Sequence, residues 1–270
     1  MKYRMPSCTL FLLLAVLMLS AAGHAQSIAL APGQIRQTFK PGVPFQIELA
    51  SANQGDDPVE MSVQITDLWY NEKNEKTFSS PGSSPRSAAN WIQFVPEHFE
   101  IPAHSTQKMH AVVTPPADAH GGYYAVLFVQ SVPKLTFDKT KDGKTIFTNV
   151  RVGCLVLLSA EKTENYKIGL SNLNLIPPGA NRSLDLTFDV ENDGNVHVFP
   201  VARMAIIDSA RKLVAKAESE PKRLLPGQKD SMHVGWTGDL PAGDYTAVLT
   251  IAYGEDRIET RQMPLRVAGQ

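Results

Sequence analysis

The side chains in this sequence that could do chemistry are few, and their spacing decides what they are good for. Four of the 7 histidines, His98, His104, His110 and His120, fall within one span. Imidazole is the commonest metal ligand and titrates near neutral pH, so four together invite a metal centre or a general base. The spacing argues against both. His98 and His120 sit among turn formers, and His110 lies on the outward face of an alternating run. No cysteine or carboxylate cluster converges with them at a ligand-motif spacing, so they read as solvated surface residues. His197, within Asn195-Val196-His197-Val198, reads as a strand or turn residue packed at a sandwich end rather than as a base. Asp138 and Asp142 could suggest calcium, but Lys139, Lys141 and Lys144 beside them oppose a dication. There is no Gly-x-Ser-x-Gly, no His-Glu-x-x-His, no phosphate-binding glycine loop and no calcium loop. The sequon Asn181-Arg182-Ser183 reads as incidental. The chain is therefore expected to be a non-enzyme without cofactor or metal.

The first 25 residues point to export. Lys2 and Arg4 precede an unbroken apolar run over 10–19, followed by Ser20-Ala21-Ala22-Gly23-His24-Ala25. A basic start, a short apolar core and small residues before a cut make a secretory signal peptide, placed at 1–25. The run falls short of the roughly 20 residues that a membrane helix needs, and an uncleaved anchor is the alternative. Cys8 lies ahead of the apolar core, the wrong place for lipid attachment. After cleavage Cys154 stands alone, so no intramolecular disulfide is available. In the apolar run 152–158 it reads as a small buried hydrophobe, with a reactive thiol as the alternative. The mature chain is expected to be periplasmic or secreted, with no stable membrane insertion. A formal net charge of −1, more negative once the leader's two cations are gone, gives no reason to expect nucleic acid or anionic lipid as partner.

The remaining residues must be arranged by strands. The stretch 91–133 carries three β-rich runs, at 91–95, 107–114 and 123–132, bounded by Pro96, Ile101-Pro102-Ala103-His104, Pro115-Pro116 and Gly121-Gly122. That is the spacing of consecutive antiparallel strands in a β-sandwich. Met109, Ala111 and Val113 can face a core while Lys108 and His110 face water. Upstream, 27–38 reads as a strand ending at the Lys40-Pro41-Gly42 turn. Phe45, Ile47 and Leu49 alternate with Gln46 and Glu48, and 59–70 forms a further strand. The polar segment 71–90 reads as a long surface loop. Lys141-Asp142-Gly143-Lys144 is a hairpin signal, and 150–160 is a long last strand.

The second half repeats the grammar. Strands are expected at 166–176, 184–190, 196–207, 213–217, 233–236, 245–253 and 258–267. The run 209–220 is the one rival for a helix, and Lys212-Leu213-Val214 suits a strand better. Ile101-Pro102 is followed by Gly122-Tyr123, and Leu225-Pro226 by Gly243 and Tyr245. A glycine and then a tyrosine entering the penultimate strand matches the tyrosine corner of immunoglobulin-like sandwiches. The fold class is thus all-β: two tandem immunoglobulin-like β-sandwich domains, at 26–162 and 163–270, after a cleaved signal peptide.

One strand has more apolar surface than a half-buried strand needs. Val150, Val152, Cys154, Val156 and Leu158 alternate with Arg151, Gly153, Leu155 and Leu157, so both faces are largely apolar. Such a strand is either central in the sandwich or leaves a row for a partner. At an edge it could accept a strand from another chain.

The leader, the paired sandwiches and the stretch 91–133 resemble the periplasmic chaperones of pilus assembly. The likeness spans about 28–160 and is carried by Val113-Thr114-Pro115, by 123–132 with Pro133, and by 150–158. The resemblance implies strand addition along 150–158. It also implies a subunit's terminal carboxylate held by an arginine of the first strand and a lysine of the long strand. Arg36 fills the first role, with Gln34 aligning equally well, whereas Gly153 stands where the lysine is expected. His120-Gly121-Gly122 replaces the family's Arg-Glu word. A second resemblance, over both halves, is to Gram-positive cell-surface proteins that interact with WxL-type wall proteins. It rests on the order Trp, Pro-turn, Thr-Pro and Gly-Tyr, and on the run from Asn192 through Leu225-Pro226-Gly227 and Trp236 to Tyr245. The C-terminal membrane helix of those proteins is not expected here.

Together these imply an exported, chaperone-like protein-binding module that helps assemble or present a surface structure by β-strand addition. Its expected contacts are Arg36, Val150, Arg151, Val152, Cys154, Val156 and Leu158, and its partner an exported protein subunit or a cell-surface protein. The alternative is a structural or adhesive envelope protein that binds wall polysaccharide or a surface protein, with the 71–90 loop and Trp236 as contacts. Oligomeric state stays open.

Overall fold

Successive side chains of an extended chain point to opposite sides, so each alternating run can bury one face and wet the other. The computed structural model of the protein describes residues 27–71, 73–132, 149–179, 182–254 and 256–268. The leader, the Lys141-Asp142-Gly143-Lys144 hairpin signal, Asp138 and Asn181 lie outside the described residues. The first half folds as β1 (Ile28–Ala31), β2 (Gln34–Phe39), β3 (Phe45–Asn53), β4 (Val59–Tyr70), β5 (Lys76–Ser79), β6 (Ile92–Val95), β7 (His98–Ile101), β8 (Ser105–Val113), β9 (Gly122–Ser131) and β10 (Arg151–Ala160). One sheet has the order β1-β3-β8-β6 and the facing sheet the order β2-β10-β9-β4-β5, with β7 also on β4. Between them lie Ile47 and Leu49 of β3, Met109, Ala111 and Val113 of β8, Leu127 and Val129 of β9, and Cys154, Val156 and Leu158 of β10. Full burial of each larger apolar side chain contributes about 1.5–3 kcal/mol.

The second half forms β11 (Ile168–Ile176), β12 (Leu184–Asn192), β13 (Val201–Asp208), β14 (Leu213–Glu218), β15 (Lys229–Trp236), β16 (Gly243–Ala252) and β17 (Ile258–Val267). A sheet β11-β12-β15 packs on a sheet β14-β13-β16-β17. Leu184, Leu186, Phe188 and Val190 of β12 meet Met204, Ile206, Leu249 and Ile251 from the other sheet. The protein is thus two tandem immunoglobulin-like β-sandwiches, as the alternation and turn spacing predict.

Four expectations change. The strand expected over 27–38 is two strands in different sheets, because the chain leaves the first ladder at Pro32, which has no N–H to donate. The segment 71–90 is not all loop: β5 pairs with 67–70 of β4, and the turn beyond it is tied to buried Asp67. That carboxylate accepts hydrogen bonds from the backbone N–H of Gly82 and Ser84 and from the Ser87 hydroxyl. His98 opens β7 rather than sitting in a turn. The strand expected over 196–207 begins at Val201, after a loop that bridges to Leu224 through Val198.

Candidate strand-acceptor edge and interdomain cleft

The register of β10 divides it in two. On one side it pairs antiparallel with β9 from Arg151 to Ser159. On the other it pairs parallel with β2, and only from Leu155↔Gln34 to Ala160↔Phe39. Leu155 N–H donates to Gly33 O at 3.1 Å at the end of that ladder. Backbone polar groups alternate sides along a strand, so those of Arg151 and Gly153 point the same way, where no strand pairs among the described residues. This is an unpaired parallel edge next to a completed one.

The expected contact residues separate along the same line. Cys154, Val156 and Leu158 are fully buried in the first core. Their side chains serve the sandwich, and a partner at this edge could meet their strand but not these groups. Burial pushes the Cys154 thiol up to about 12, so it is a protonated core residue and the reactive-thiol alternative falls away. Val150 and Val152 are half-buried at the mouth of the core. Val150 is held by Ser131, whose N–H donates to Val150 O at 2.8 Å and whose hydroxyl accepts from Val150 N–H at 3.0 Å.

Arg151 is exposed on the outer sheet face, its guanidinium 3.6 Å from the centroid of the Phe128 ring and hydrogen-bonded to Gln64 Oε1 at 2.8 Å. Phe128 packs edge-on against Phe78 at 5.3 Å. Phe128 is also the cross-strand partner of Gly153, and a Cβ at Gly153 would come within 2.8 Å of its ring. The glycine at the expected lysine position is therefore the place where an aromatic ring lies down on β10.

Arg36 faces a different neighbourhood. Paired in register with Leu157, it lines a cleft of about 440 Å³ between the two sandwiches, with Ser159, Tyr166, His197, Phe199, Arg203 and Tyr253 also on its wall. Its guanidinium lies 4.7 Å from the Phe199 ring centroid. Gln34, the other first-strand candidate, is taken up by Arg223 Nη1, which donates to its Oε1 at 3.1 Å. Arg203 is paired with Glu218 at 2.9 Å.

The cleft floor is the junction of the halves. Leu68, Tyr124 and Leu157 of the first sandwich bury Leu225 of the second, with Phe199 against them. Gly122 N–H donates to Asn195 O at 2.8 Å and Gly121 N–H to Thr163 Oγ1 at 2.8 Å. Gly121 has φ +73, and a Cβ there would stand 2.7 Å from Asn195 O. The Gly121-Gly122 pair thus lets the second sandwich come this close. His197 stacks edge-on between Tyr124 at 5.8 Å and Phe199 at 5.7 Å. Burial, then the charges of Arg36 and Arg223, depress its titration to about 4. His197 is thus packed at a sandwich end, as its surroundings in the sequence suggest; that Tyr124 of the other sandwich is its neighbour is not legible there.

The other histidines stay apart. His104 meets Asp56 at 3.0 Å and His110 meets Glu48 at 3.5 Å, all largely exposed. Among the described residues no three His, Cys, Asp or Glu side chains are grouped to hold a metal. No helix among them is long and apolar enough to cross a membrane. Trp236 ends β15 packed against the second core, its ring lying over Gly238.

No protein-family model matches this chain, and no curated protein matches it. It is similar to several solved fimbrial chaperones, of the family its sequence resembles. The class 5 fimbriae chaperone CfaA is 11% identical over 88% of this chain and 99% of its own, with a TM-score of 0.49. A chain from the chaperone–tip adhesin complex of CFA/I fimbriae biogenesis is 14% identical over 88% and 98%, at 0.48. A chain from the Salmonella enterica SafA pilin–SafB chaperone complex is 11% identical over 88% and 97%, at 0.44.

Proposed function

We propose that the protein is an exported, non-enzymatic, chaperone-like module of the periplasm. It helps assemble or present a pilus- or fimbria-type surface structure by taking a strand of an exported subunit onto β10. The observation that carries this is the edge at 151–154, which has no pairing strand on the β2 side among the described residues and is flanked by a finished ladder at 155–160. An added strand there would continue the β2 side of the sheet, its main-chain hydrogen bonds supplying affinity. It would pass Val150 and Val152 at the mouth of the core and Arg151 on the outer face, and run toward the cleft, where Arg36 could meet a terminal carboxylate. Cys154, Val156 and Leu158 act in this scheme only by holding β10 in place.

The test is a photo-crosslinking residue at Val152 in the cell that makes the protein. Adducts with a small β-rich exported subunit, lost when Arg151 and Gly153 are both replaced by proline in a folded variant, are expected. Retention of wall polysaccharide with no protein adduct would favour the adhesive alternative and end the strand-acceptor proposal.

A further inference from the structure

The second sandwich is open along one side. β15 ends one sheet and β14 ends the other, and a groove of about 830 Å³ runs between these edges. It lies away from the junction: Trp236 pairs with Leu184 at one end of β12, whereas the other end leads to Asn195. Two rings line the groove, each against a glycine. A Cβ at Gly235 would stand 3.1 Å from His233 Cε1, and a Cβ at Gly238 would run into the Trp236 ring. Asp185 Oδ1 meets His233 Nε2 and fixes the imidazole. A neutral ring that donates from Nε2 keeps Nδ1 as an acceptor. The charges on the wall balance. Glu218 is taken by Arg203 and Lys222 by Asp230. That leaves Glu220 and Arg182, one acid and one base, in no ion pair among the described residues. Such a groove has no net pull on an ion, yet it offers acceptors, donors and an aromatic face.

We propose that this groove is a saccharide site, taking one or more neutral sugar units. A sugar is uncharged, its hydroxyls both donate and accept, and its ring presents C–H groups that suit the negative face of an indole. Trp236 supplies that face. His233 Nδ1 and Glu220 accept from hydroxyls, and Arg182 donates to them. Gly235 is the notch that keeps the groove open beside His233, since any side chain there would fill it. The site is independent of the β10 edge, so one chain holds a glycan in its second sandwich while its first takes up a subunit strand.

The experiment titrates the whole exported chain with three neutral saccharides in turn: cellotriose, maltotriose and tri-N-acetylchitotriose. The indole N–H signal of Trp236 is assigned by its loss in Trp236→Leu and followed by NMR. At least one saccharide is expected to shift it saturably at millimolar concentration. Trp236→Leu should weaken binding about tenfold, read by saturation-transfer NMR, the upper end of what an aromatic contact supplies. Gly235→Thr fills the notch at an exposed strand position, outside the core, and should abolish the shift in a folded protein. It decides the matter even if Trp236→Leu does not fold. A signal unmoved by all three saccharides, or a shift that persists in folded Gly235→Thr, overturns the proposal. The crosslink at Val152 needs no sugar. Its loss with the saccharide shift intact would count against strand addition alone, and the reverse against this inference alone.

Discussion

At the scale of single residues, two asparagines close the two sandwiches in the same way. Asn53 ends β3 and Asn192 ends β12, and both are buried. Asn53 Nδ2 donates to Asp57 O at 2.8 Å and to Ile101 O at 3.1 Å, while its Oδ1 accepts from Gly55 N–H. Asn192 Nδ2 donates to Val196 O at 2.8 Å and to Leu224 O at 3.0 Å, while its Oδ1 accepts from Gly194 N–H. Each amide satisfies main-chain groups from two segments at once. Asn53→Ala and Asn192→Ala should each lower unfolding free energy by about 2–4 kcal/mol, read as a shifted denaturant midpoint. A loss below 1 kcal/mol would mean that water replaces the amide. The Asn-x-Gly words at Asn53-Gln54-Gly55 and Asn192-Asp193-Gly194 are visible in the sequence as turns. The reach to Ile101 or Leu224 is not, because it depends on how the sheets face each other. Gly121→Ala belongs to this scale too. Its positive φ and the approach of the added Cβ to within 2.7 Å of the Asn195 carbonyl should cost about 1–3 kcal/mol and loosen the junction, seen as faster limited proteolysis between the halves.

At the scale of elements, the prediction turns on the split in β10. Its alternation shows that both faces are largely apolar but cannot show how far β2 runs alongside it. The register answers that, and separates two positions the sequence treats alike. Val156→Asp puts a charge into a fully buried site and should leave no folded protein, as circular dichroism would show. Val152→Asp, at the half-buried mouth beside the open edge, should fold with a melting temperature lowered by a few degrees and lose its partner. Equal behaviour of the two variants would place the whole strand in the core. The 71–90 segment makes the same point: its Ser, Pro and Gly content suggests a loop, but buried Asp67 gathers it into an ordered turn.

At the scale of the whole molecule, the halves are joined through His197. An unfolded imidazole titrates near 6.5, whereas in the fold burial and two arginines hold it near 4. Between those values the unfolded chain binds a proton that the folded one refuses. Stability from this group is therefore complete above about pH 6.5, falls as pH drops toward 4, and flattens below, a span of up to about 3 kcal/mol. His197→Phe keeps the aromatic contacts with Tyr124 and Phe199 and should remove that part of the pH dependence, measured by denaturant unfolding across pH 4–7. A variant with the parent's slope would show that the junction opens before the imidazole charges.

Alternation, turn formers and the repeated Pro-turn and Gly-Tyr words were enough to determine two immunoglobulin-like sandwiches, most strands and the core of each. These are local properties, since a strand's two faces follow from a period of two. The point where β2 stops beside β10, the ring laid over Gly153, the paired asparagines and the packing of His197 between Tyr124 and Phe199 came only from the tertiary structure. Each depends on where a sheet ends or on two segments far apart in the chain being brought face to face, and neither leaves a mark in local spacing.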